Sequence, residues 1–464
     1  MRTLSAAFLL SLYAFLFAGT LAAVNQTPDD PPKRIVVPTG ATGDDLLKAI
    51  ETVAENGEVV VGAGTFYINQ SILISKSFTL QGSGMEKTRL VLEAEGIIIQ
   101  FVLPKLPIFR LNPIEEDGSA DFSESQHGNL NADADQEGIS ILMEPSENVR
   151  SHNWFAARDI HFDYKGTSPN NVITAYDGQL RFYRCKFSGG ANQYEGGRLG
   201  NGVALFGGTQ TLLSECAFLE NARNGILAFG DASVRIISCR FENNLSGIAI
   251  VGSARGEVRN SSCCRNTGSG ILAADQSHLT VIGSVCSQNG TGIALGGSAH
   301  AELQNNECSD NTYTGIAASA QSRLVARSNR CSRNRFGIAL DESARGEIRD
   351  NKCTDNVYSG IIARGQSHLI AENNQCEENG VGIGLFSSAQ AKLIANTCLN
   401  NRFGDIVYQQ TVKTNFSGNI GKVEKFENLN TSKNQNQVSS QSQSRKKYVP
   451  KRSSGKRART RSNR

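Results

Sequence analysis

The sequence predicts an all-β fold, a right-handed parallel β-helix in which each turn, here called a rung, contains three short strands. Three observations lead to this prediction: a glycine repeat with an interval of 22 or 23 residues, a cysteine repeat that follows it, and connecting segments too short for helices. The repeated glycines are Gly202, Gly225, Gly247, Gly270, Gly292, Gly315, Gly337, Gly360, Gly382 and Gly404. Stacked rungs lie about 4.8 Å apart, and each rung satisfies its backbone only through its neighbours.

The cysteine repeat predicts a buried column of reduced thiols. Its members are Cys216, Cys239, Cys264, Cys286, Cys308, Cys331, Cys353, Cys376 and Cys398. Neighbouring cysteines on in-register parallel strands are poorly oriented for a disulfide, which requires Cβ atoms about 3.5–4.5 Å apart. Exceptions are expected at the adjacent pair Cys263–Cys264 and at Cys185, which is displaced from the repeat.

Asparagines flank the repeated cysteines. The motif Asn-x-Cys-x-x-Asn begins at Asn306, Asn329, Asn351, Asn374 and Asn396. Stacked amides predict ladders of hydrogen bonds along the axis, and asparagine also tolerates the left-handed backbone of a tight corner. The rungs further alternate between a Ser-Ala type and a Gln-Ser type, which gives a double period of 45 residues.

The first residues predict export. A basic start at Arg2, an apolar run from Leu4 to Phe17 and small residues up to Ala23 form the pattern of a signal peptide at 1–23. The apolar run is shorter than the roughly 20 residues that a membrane span requires. We therefore expect a secreted, periplasmic or cell-surface protein without a membrane span, with a linker at 24–32.

The net charge of +3 averages two different regions. The last 20 residues, from Arg445, contain ten Lys or Arg and no acid, which leaves 37 basic and 44 acidic residues before them. We expect an acidic body and a disordered basic tail at 426–464. In an exported protein such a tail would contact anionic envelope components, and nucleic acid is not an expected partner.

The region after the linker begins with a predicted helix. Its N-cap is the segment Thr42-Gly-Asp-Asp45, and Asn56-Gly57 stops it. Its apolar face consists of Leu46, Leu47, Ile50, Val53 and Ala54. Together with the short strands and the Gly-Thr-Phe-Tyr turn that follow, and with the later repeats, this helix resembles the capped start of pectin-lyase-like right-handed parallel β-helix proteins.

The resemblance covers roughly residues 33–410. The repeats of that superfamily are also called carbohydrate-binding and sugar-hydrolase repeats, so the resemblance implies polysaccharide as the class of partner. Its members include lyases, hydrolases, epimerases and non-enzymes, so the fold implies no single activity. We assign the β-helix to 33–425, with regular repeats at 202–410, an acidic loop insertion at 101–137 and a second irregular segment at 188–199.

A column of basic residues stands eight residues after six of the repeated glycines. Its members are Arg255, His278, His300, Arg323, Arg345 and His368. Potential cations at one-rung intervals match the regular charges of an acidic polysaccharide or another polyanion. The other interpretation is a solvated turn position, with Glu257, Glu302 and Glu347 neutralising alternate members.

Candidate catalytic residues lie before the regular repeats. With Ile160 and Phe162 inward, Asp159, His161 and Asp163 are expected to point outward together, as a metal site or a general base. Asp133, Asp135 and Glu137 in the acidic loop are candidate calcium ligands. Pectate-lyase-like enzymes place calcium-binding aspartates and a basic residue on the outer surface of the helix. The Asp-Pro-His-Asp motif of mannuronan epimerases and the motif set of polygalacturonases are not found in this sequence.

Three functions agree with these features. The first is an exported β-helix that binds, and in one version also processes, an acidic glycan. The second is a lyase or C5-epimerase acting on a uronan, with its site walled by the loops at 101–137 and 188–199. The third is a structural or adhesin-like surface protein. The sequence leaves open whether the protein is an enzyme, and calcium is the one cofactor that it suggests.

Overall fold

The computed structural model describes residues 30–94, 96–101, 153–192 and 199–426. Its strands form three sheets that run the length of a solenoid, and the paired strands of neighbouring rungs are parallel and in register. This confirms the predicted right-handed parallel β-helix. The predicted signal peptide, most of the acidic loop and the basic tail lie outside the described residues.

Sheet S1 has 15 strands. They are β1 (Arg34–Val37), β2 (Gly57–Val61), β5 (Phe78–Gln81), β8 (Trp154–Arg158), β11 (Gln179–Tyr183), β14 (Gln210–Ser214), β17 (Ser233–Ile237), β20 (Arg255–Arg259), β23 (His278–Ile282), β26 (His300–Gln304), β29 (Arg323–Arg327), β32 (Arg345–Arg349), β35 (His368–Glu372), β38 (Gln390–Ile394) and β41 (Lys413–Ser417).

Sheet S2 has 14 strands. They are β4 (Ile72–Ile74), β7 (Ile99–Phe101), β10 (Ile173–Ala175), β13 (Val203–Leu205), β16 (Asn224–Phe229), β19 (Ser246–Val251), β22 (Ser269–Ala273), β25 (Thr291–Leu295), β28 (Thr314–Ala318), β31 (Phe336–Leu340), β34 (Ser359–Ala363), β37 (Val381–Leu385), β40 (Gly404–Gln409) and β42 (Val423–Phe426).

Sheet S3 has 13 strands. They are β3 (Gly64–Ile68), β6 (Thr88–Leu92), β9 (His161–Tyr164), β12 (Lys186–Ser188), β15 (Ala217–Leu219), β18 (Arg240–Glu242), β21 (Ser262–Cys264), β24 (Val285–Ser287), β27 (Glu307–Ser309), β30 (Arg330–Ser332), β33 (Lys352–Thr354), β36 (Gln375–Glu377) and β39 (Thr397–Leu399). In each regular rung the chain passes through S2, then S1, then S3.

Helix α1 (Gly43–Thr52) lies at the start of the solenoid. As predicted, Thr42 is its N-cap: the Thr42 side chain accepts a hydrogen bond from the backbone N–H of Asp45 at 3.2 Å, and the Asp45 carboxylate accepts one from Thr42 N–H at 2.8 Å. The helix ends at Thr52, before the predicted stop, and Val53 is already extended. Its buried apolar face packs over the first rungs, which would otherwise leave an open end. This helix is too short to cross a membrane, and no other described segment is a helix that could.

The cysteines occupy two columns, not the single column that we predicted. Cys185, Cys216 and Cys239 share one register, which continues as Ser261 and later as asparagine. The second column contains Cys263, Cys286, Cys308, Cys331, Cys353, Cys376 and Cys398, below a stack of phenylalanines. The interval of 25 residues between Cys239 and Cys264 in the sequence marks this change of column. Cys264 points away from the core and is partly exposed.

The predicted reduced state of the thiols is confirmed. All eleven cysteines are free, and every one except Cys264 is buried. Burial raises the pKa of the Cys216 and Cys239 thiols. These side chains therefore fill the core as small apolar groups and carry no reactive thiolate.

The predicted asparagine ladders are present. The side-chain NH₂ of Asn329 donates to Asn351 Oδ1 at 3.0 Å, and that of Asn351 donates to Asn374 Oδ1 at 3.0 Å. A second ladder consists of Asn221, Asn244, Asn266, Asn289, Asn311, Asn334, Asn356, Asn379 and Asn401. The left-handed backbone belongs to the residue before the ladder position, as at Asn305 with φ 56°, and not to the ladder asparagines themselves.

The repeated glycines make room for the asparagine ladder and the next rung. A Cβ atom on Gly337 would collide with the carbonyl oxygen of Gly360 and lie 3.0 Å from the side-chain nitrogen of Asn356 and 3.2 Å from Cys353 Cβ. The three repeats therefore describe one packing constraint: glycine at the start of the S2 strand, asparagine at the corner beside it and cysteine in the core.

Replacing Asn351 with alanine tests this constraint. The change removes hydrogen bonds to Ala326 O and Asn374 Oδ1 and leaves the buried amide groups of Asn329 without their acceptor. Because each buried unpaired polar group costs about 1–3 kcal/mol, we expect N351A to lower the free energy of unfolding by at least about 3 kcal/mol. Urea unfolding followed by circular dichroism measures the loss.

Lys392→Ala is the matched control, because Lys392 is exposed on the outer face of S1. Its effect should stay within about 0.5 kcal/mol. An N351A protein as stable as K392A would contradict a stabilising role for the ladder.

Candidate functional site

Each residue of the predicted basic column is the first residue of an S1 strand. Arg255 is in register with His278, His278 with His300, and so on through Arg323, Arg345 and His368. The next residue in each strand points into the core, so strand alternation directs the six side chains outward. Five of them are exposed, and His300 is half-buried. We call this column the basic ladder.

Within the described residues, no side chain of the basic ladder forms a hydrogen bond or an ion pair. The expected neutralisation by acids on the same strands is wrong. Glu257 pairs instead with Arg235 at 2.8 Å on the preceding rung and with Arg259 at 2.5 Å. Glu347 pairs with Arg349 at 3.3 Å. Residues in register on adjacent strands lie closer than residues two apart on one strand, which favours these partners over the ladder.

A groove runs beside the basic ladder. It has a volume of about 410 Å³ and is lined by Ser253, Arg255, Gln276, His278, Ser298, His300, Gln321 and Arg323. The alternation of serine and glutamine follows the double period of the sequence. The groove therefore offers a cation on every rung, with a hydroxyl or an amide next to it. The rings of His278 and His300 meet edge to face at 5.9 Å.

The second candidate cluster differs from its prediction. Asp159, His161 and Asp163 do not point outward together. Asp159 lies at the turn between S1 and S3 with φ 61°, which breaks the strand alternation, and its carboxylate binds the Arg184 guanidinium at 2.6 and 2.8 Å. His161 and Asp163 remain together, 3.9 Å apart, but both are buried.

Ser188 connects His161 to Asp163. Its hydroxyl donates to Asp163 Oδ1 at 2.6 Å and lies 2.7 Å from His161 Nε2. Because that hydroxyl has one proton, His161 Nε2 carries the proton of the second bond and Nδ1 is the unprotonated nitrogen. Arg89 also binds Asp163, and Lys165 lies 3.5 Å from it.

The electrostatics of this cluster keep the imidazole neutral and the carboxylate charged. Burial, reinforced by the charge of Lys186, lowers the pKa of His161 to about 4. Burial alone would raise the pKa of Asp163, but the hydrogen bonds from Ser188 and Arg89 outweigh it and hold that pKa below its usual value. Sequence reasoning missed Arg89, Ser188 and the lysines, because they come from other rungs in the irregular part of the chain.

The structure does not support a metal site at Asp159, His161 and Asp163. Among the described residues, no group of three or more His, Cys, Asp and Glu side chains is arranged to hold a metal ion. The candidate calcium ligands Asp133, Asp135 and Glu137 lie outside the described residues, so the calcium prediction stays a prediction.

Comparisons with known proteins agree on the fold. The family model described as "Right handed beta helix region" matches residues 170–299 and 269–420. No curated protein matches the sequence significantly. Among solved structures, the periplasmic alginate epimerase AlgG is 13% identical, with a TM-score of 0.52 over 85% of each chain. The catalytic unit of a thermostable GH87 α-1,3-glucanase from Streptomyces thermodiastaticus is 13% identical, with a TM-score of 0.47 over 88% of this chain and 72% of that one. Such low identities establish a shared fold and no shared activity.

The neutral His161 predicts how stability depends on pH. The unfolded imidazole takes up a proton near pH 6.5, whereas the folded one resists protonation down to about pH 4. The free energy of unfolding should therefore fall as the pH decreases from about 6.5 to about 4. His161→Gln removes this contribution, so its urea unfolding midpoint should fall less than that of the wild type over the same range. Parallel pH profiles for the two proteins would refute the assigned neutral state.

Proposed function

We propose, from the premise that this chain belongs to the right-handed β-helix region family, that it is an exported protein that binds an acidic polysaccharide along the basic ladder. The observation that carries this proposal is a row of six potential cations that have no anionic partner within the described residues. The row spans five strand spacings, about 24 Å. An extended polymer with regularly placed carboxylates can supply one anion after another along such a row.

The same observation favours binding over a purely structural role. Aligned like charges repel each other and weaken the solenoid unless a counter-charge neutralises them. A stalk has no need for such a row, and elsewhere on S1 Arg235 and Arg259 are paired with Glu257. The signal-peptide pattern at 1–23 supports export, and the basic tail is proposed to contact anionic envelope components.

Replacing three arginines of the basic ladder tests this proposal. The triple variant R255Q/R323Q/R345Q should bind oligomannuronate or oligogalacturonate at least about tenfold more weakly than the wild type, a loss of about 1.4 kcal/mol. The affinity of the wild type should also fall with added salt, and less steeply in the variant. Isothermal titration calorimetry at two salt concentrations measures both effects.

The matched control changes the same net charge at the other end of the same strands. It is the triple variant R259Q/R327Q/R349Q. This control should keep most of the affinity, because its arginines lie outside the groove. Equal losses in the two triple variants would show general attraction to the protein's charge, and no loss in either would refute the assignment of the ladder.

A second candidate function, uronan lyase or C5-epimerase, is favoured by the cluster at His161. Three partly exposed cations, Arg89, Lys165 and Lys186, surround one buried carboxylate. They would neutralise the carboxylate of a bound uronate and so acidify its C5 proton, which His161 Nδ1 would accept. Loss of the C4 substituent then gives a C4=C5 double bond, whereas return of a proton to the opposite face of C5 gives the epimer.

Activity measurements decide this candidate. The protein is incubated with polymannuronate and with pectate, with and without calcium, while ultraviolet absorbance detects unsaturated products and NMR detects epimerised residues. Turnover that His161→Gln reduces by about a hundredfold or more and that His278→Gln retains would support the cluster. Absence of both products, with polysaccharide binding intact, would eliminate it and leave the binding function.

A further inference from the structure

Exposed aromatic side chains line the corner between S3 and S2 on the C-terminal rungs. Tyr313, Tyr358 and Phe403 are 54%, 50% and 70% exposed. Each directly precedes or begins its S2 strand, and they are 45 residues apart, the double period of the sequence. They therefore stand on every second rung, about 10 Å apart along the axis. We call this row the aromatic corner.

Arginine and a second aromatic residue fill the intervening rung. The backbone N–H of Arg335 donates to Tyr313 O at 2.9 Å, and that of Tyr358 donates to Arg335 O at 2.8 Å. The Arg335 guanidinium lies 5.2 Å from the centre of the Tyr313 ring. The ring of Phe336 lies 5.3 Å from that of Tyr358. The aromatic corner is thus a continuous row of ring faces and guanidinium groups.

The positions in this row are held from below. The Arg364 guanidinium lies 5.3 Å from the centre of the Phe336 ring and is fixed by Asp341 through bonds of 2.6 and 2.8 Å. The equivalent corners of earlier rungs carry Gly268 and Gly290, so the row begins only at Tyr313. Large rings that remain exposed on a rigid backbone mark a surface that binds something, because they gain nothing from solvent.

We propose that the aromatic corner is a second binding surface, on which pyranose rings of an extended polysaccharide chain stack. The apolar C–H face of a pyranose ring fits an aromatic face, and the guanidinium between two rings can bind sugar hydroxyl or carboxylate oxygens. The two-rung repeat offers equivalent contacts to successive segments of one polymer.

A second copy of the chain fits this surface less well. A stable protein interface buries roughly 800 Å² on each partner and has an apolar centre. The aromatic corner is one residue wide, and charged Arg335 interrupts its rings. Its shape and chemistry suit a narrow polymer with both apolar and polar edges.

The aromatic corner is separate from the basic ladder. The ladder follows the turn from S2 to S1, whereas the aromatic corner precedes S2, so an S2 strand of five residues, such as Thr314–Ala318, lies between them. That distance is roughly 16 Å. The inference rests on the proposed function for its ligand class, but stacking, unlike the ladder, needs no charge on the ligand and persists in high salt.

The test uses the full-length protein and the triple variant Y313A/Y358A/F403A. The probes are a neutral linear manno-oligosaccharide and oligomannuronate, each titrated at low salt and at about 1 M salt, where the Debye length is about 3 Å. We expect the variant to lose at least about tenfold in affinity for both probes at both salt concentrations. The basic-ladder variant should lose affinity only for oligomannuronate and only at low salt.

Two controls keep the outcome interpretable. The variant V285A/I370A/L399A removes exposed apolar side chains from other faces of the solenoid and should bind like the wild type. Tyr313→Phe and Tyr358→Phe, which keep the rings, should retain binding. Wild-type affinity of Y313A/Y358A/F403A for both probes would overturn the proposal. So would a wild-type dimer that this variant converts to a monomer, because the aromatic corner would then be a self-association surface.

Discussion

The in-register parallel pairing of successive rungs is the constraint on which the rest of this structure depends. It places each residue about 4.8 Å from its equivalent on the next rung, so every side-chain choice is multiplied along the axis. A side chain can occupy such a column without cost only if it can pair with a copy of itself. Asparagine does so because its amide both donates and accepts, as in the bond from Asn329 to Asn351. Phenylalanine and the neutral thiol of cysteine do so by packing.

Arginine and protonated histidine fail that requirement, since they donate hydrogen bonds and accept none. Acids alternate with cations in the column of Arg235 and Glu257, where the register supplies an ion pair. The basic ladder lacks such acids over six rungs. Its positive potential is therefore a direct result of the repeat, and the only surfaces that can neutralise it along its length are themselves repetitive anions.

The sequence predicted what the repeat controls. The strand order, the capping role of Thr42, the amide ladders and the stacking of Arg255 with His278 all follow from equivalent positions at a fixed interval. It did not predict features set by single contacts between distant segments. Asp163 is buried because Arg89, 74 residues away, and Ser188 satisfy it, and Asp159 turns aside because its backbone is left-handed. The change of cysteine column was visible in one interval of 25 residues, which the average period concealed.

The regular and irregular parts of the chain therefore suit different tasks. The cluster of His161, Ser188 and Asp163 exists once, is buried and contains a neutral imidazole, which is an arrangement for acting on one sugar residue at a time. The basic ladder and the aromatic corner repeat, are exposed and are rigid. A polymer that binds the first rung of either surface meets the next rung at a fixed distance, so each further contact costs little additional ordering of the protein. Affinity should then increase with oligosaccharide length up to the length of the row, a dependence that a single deep pocket does not produce.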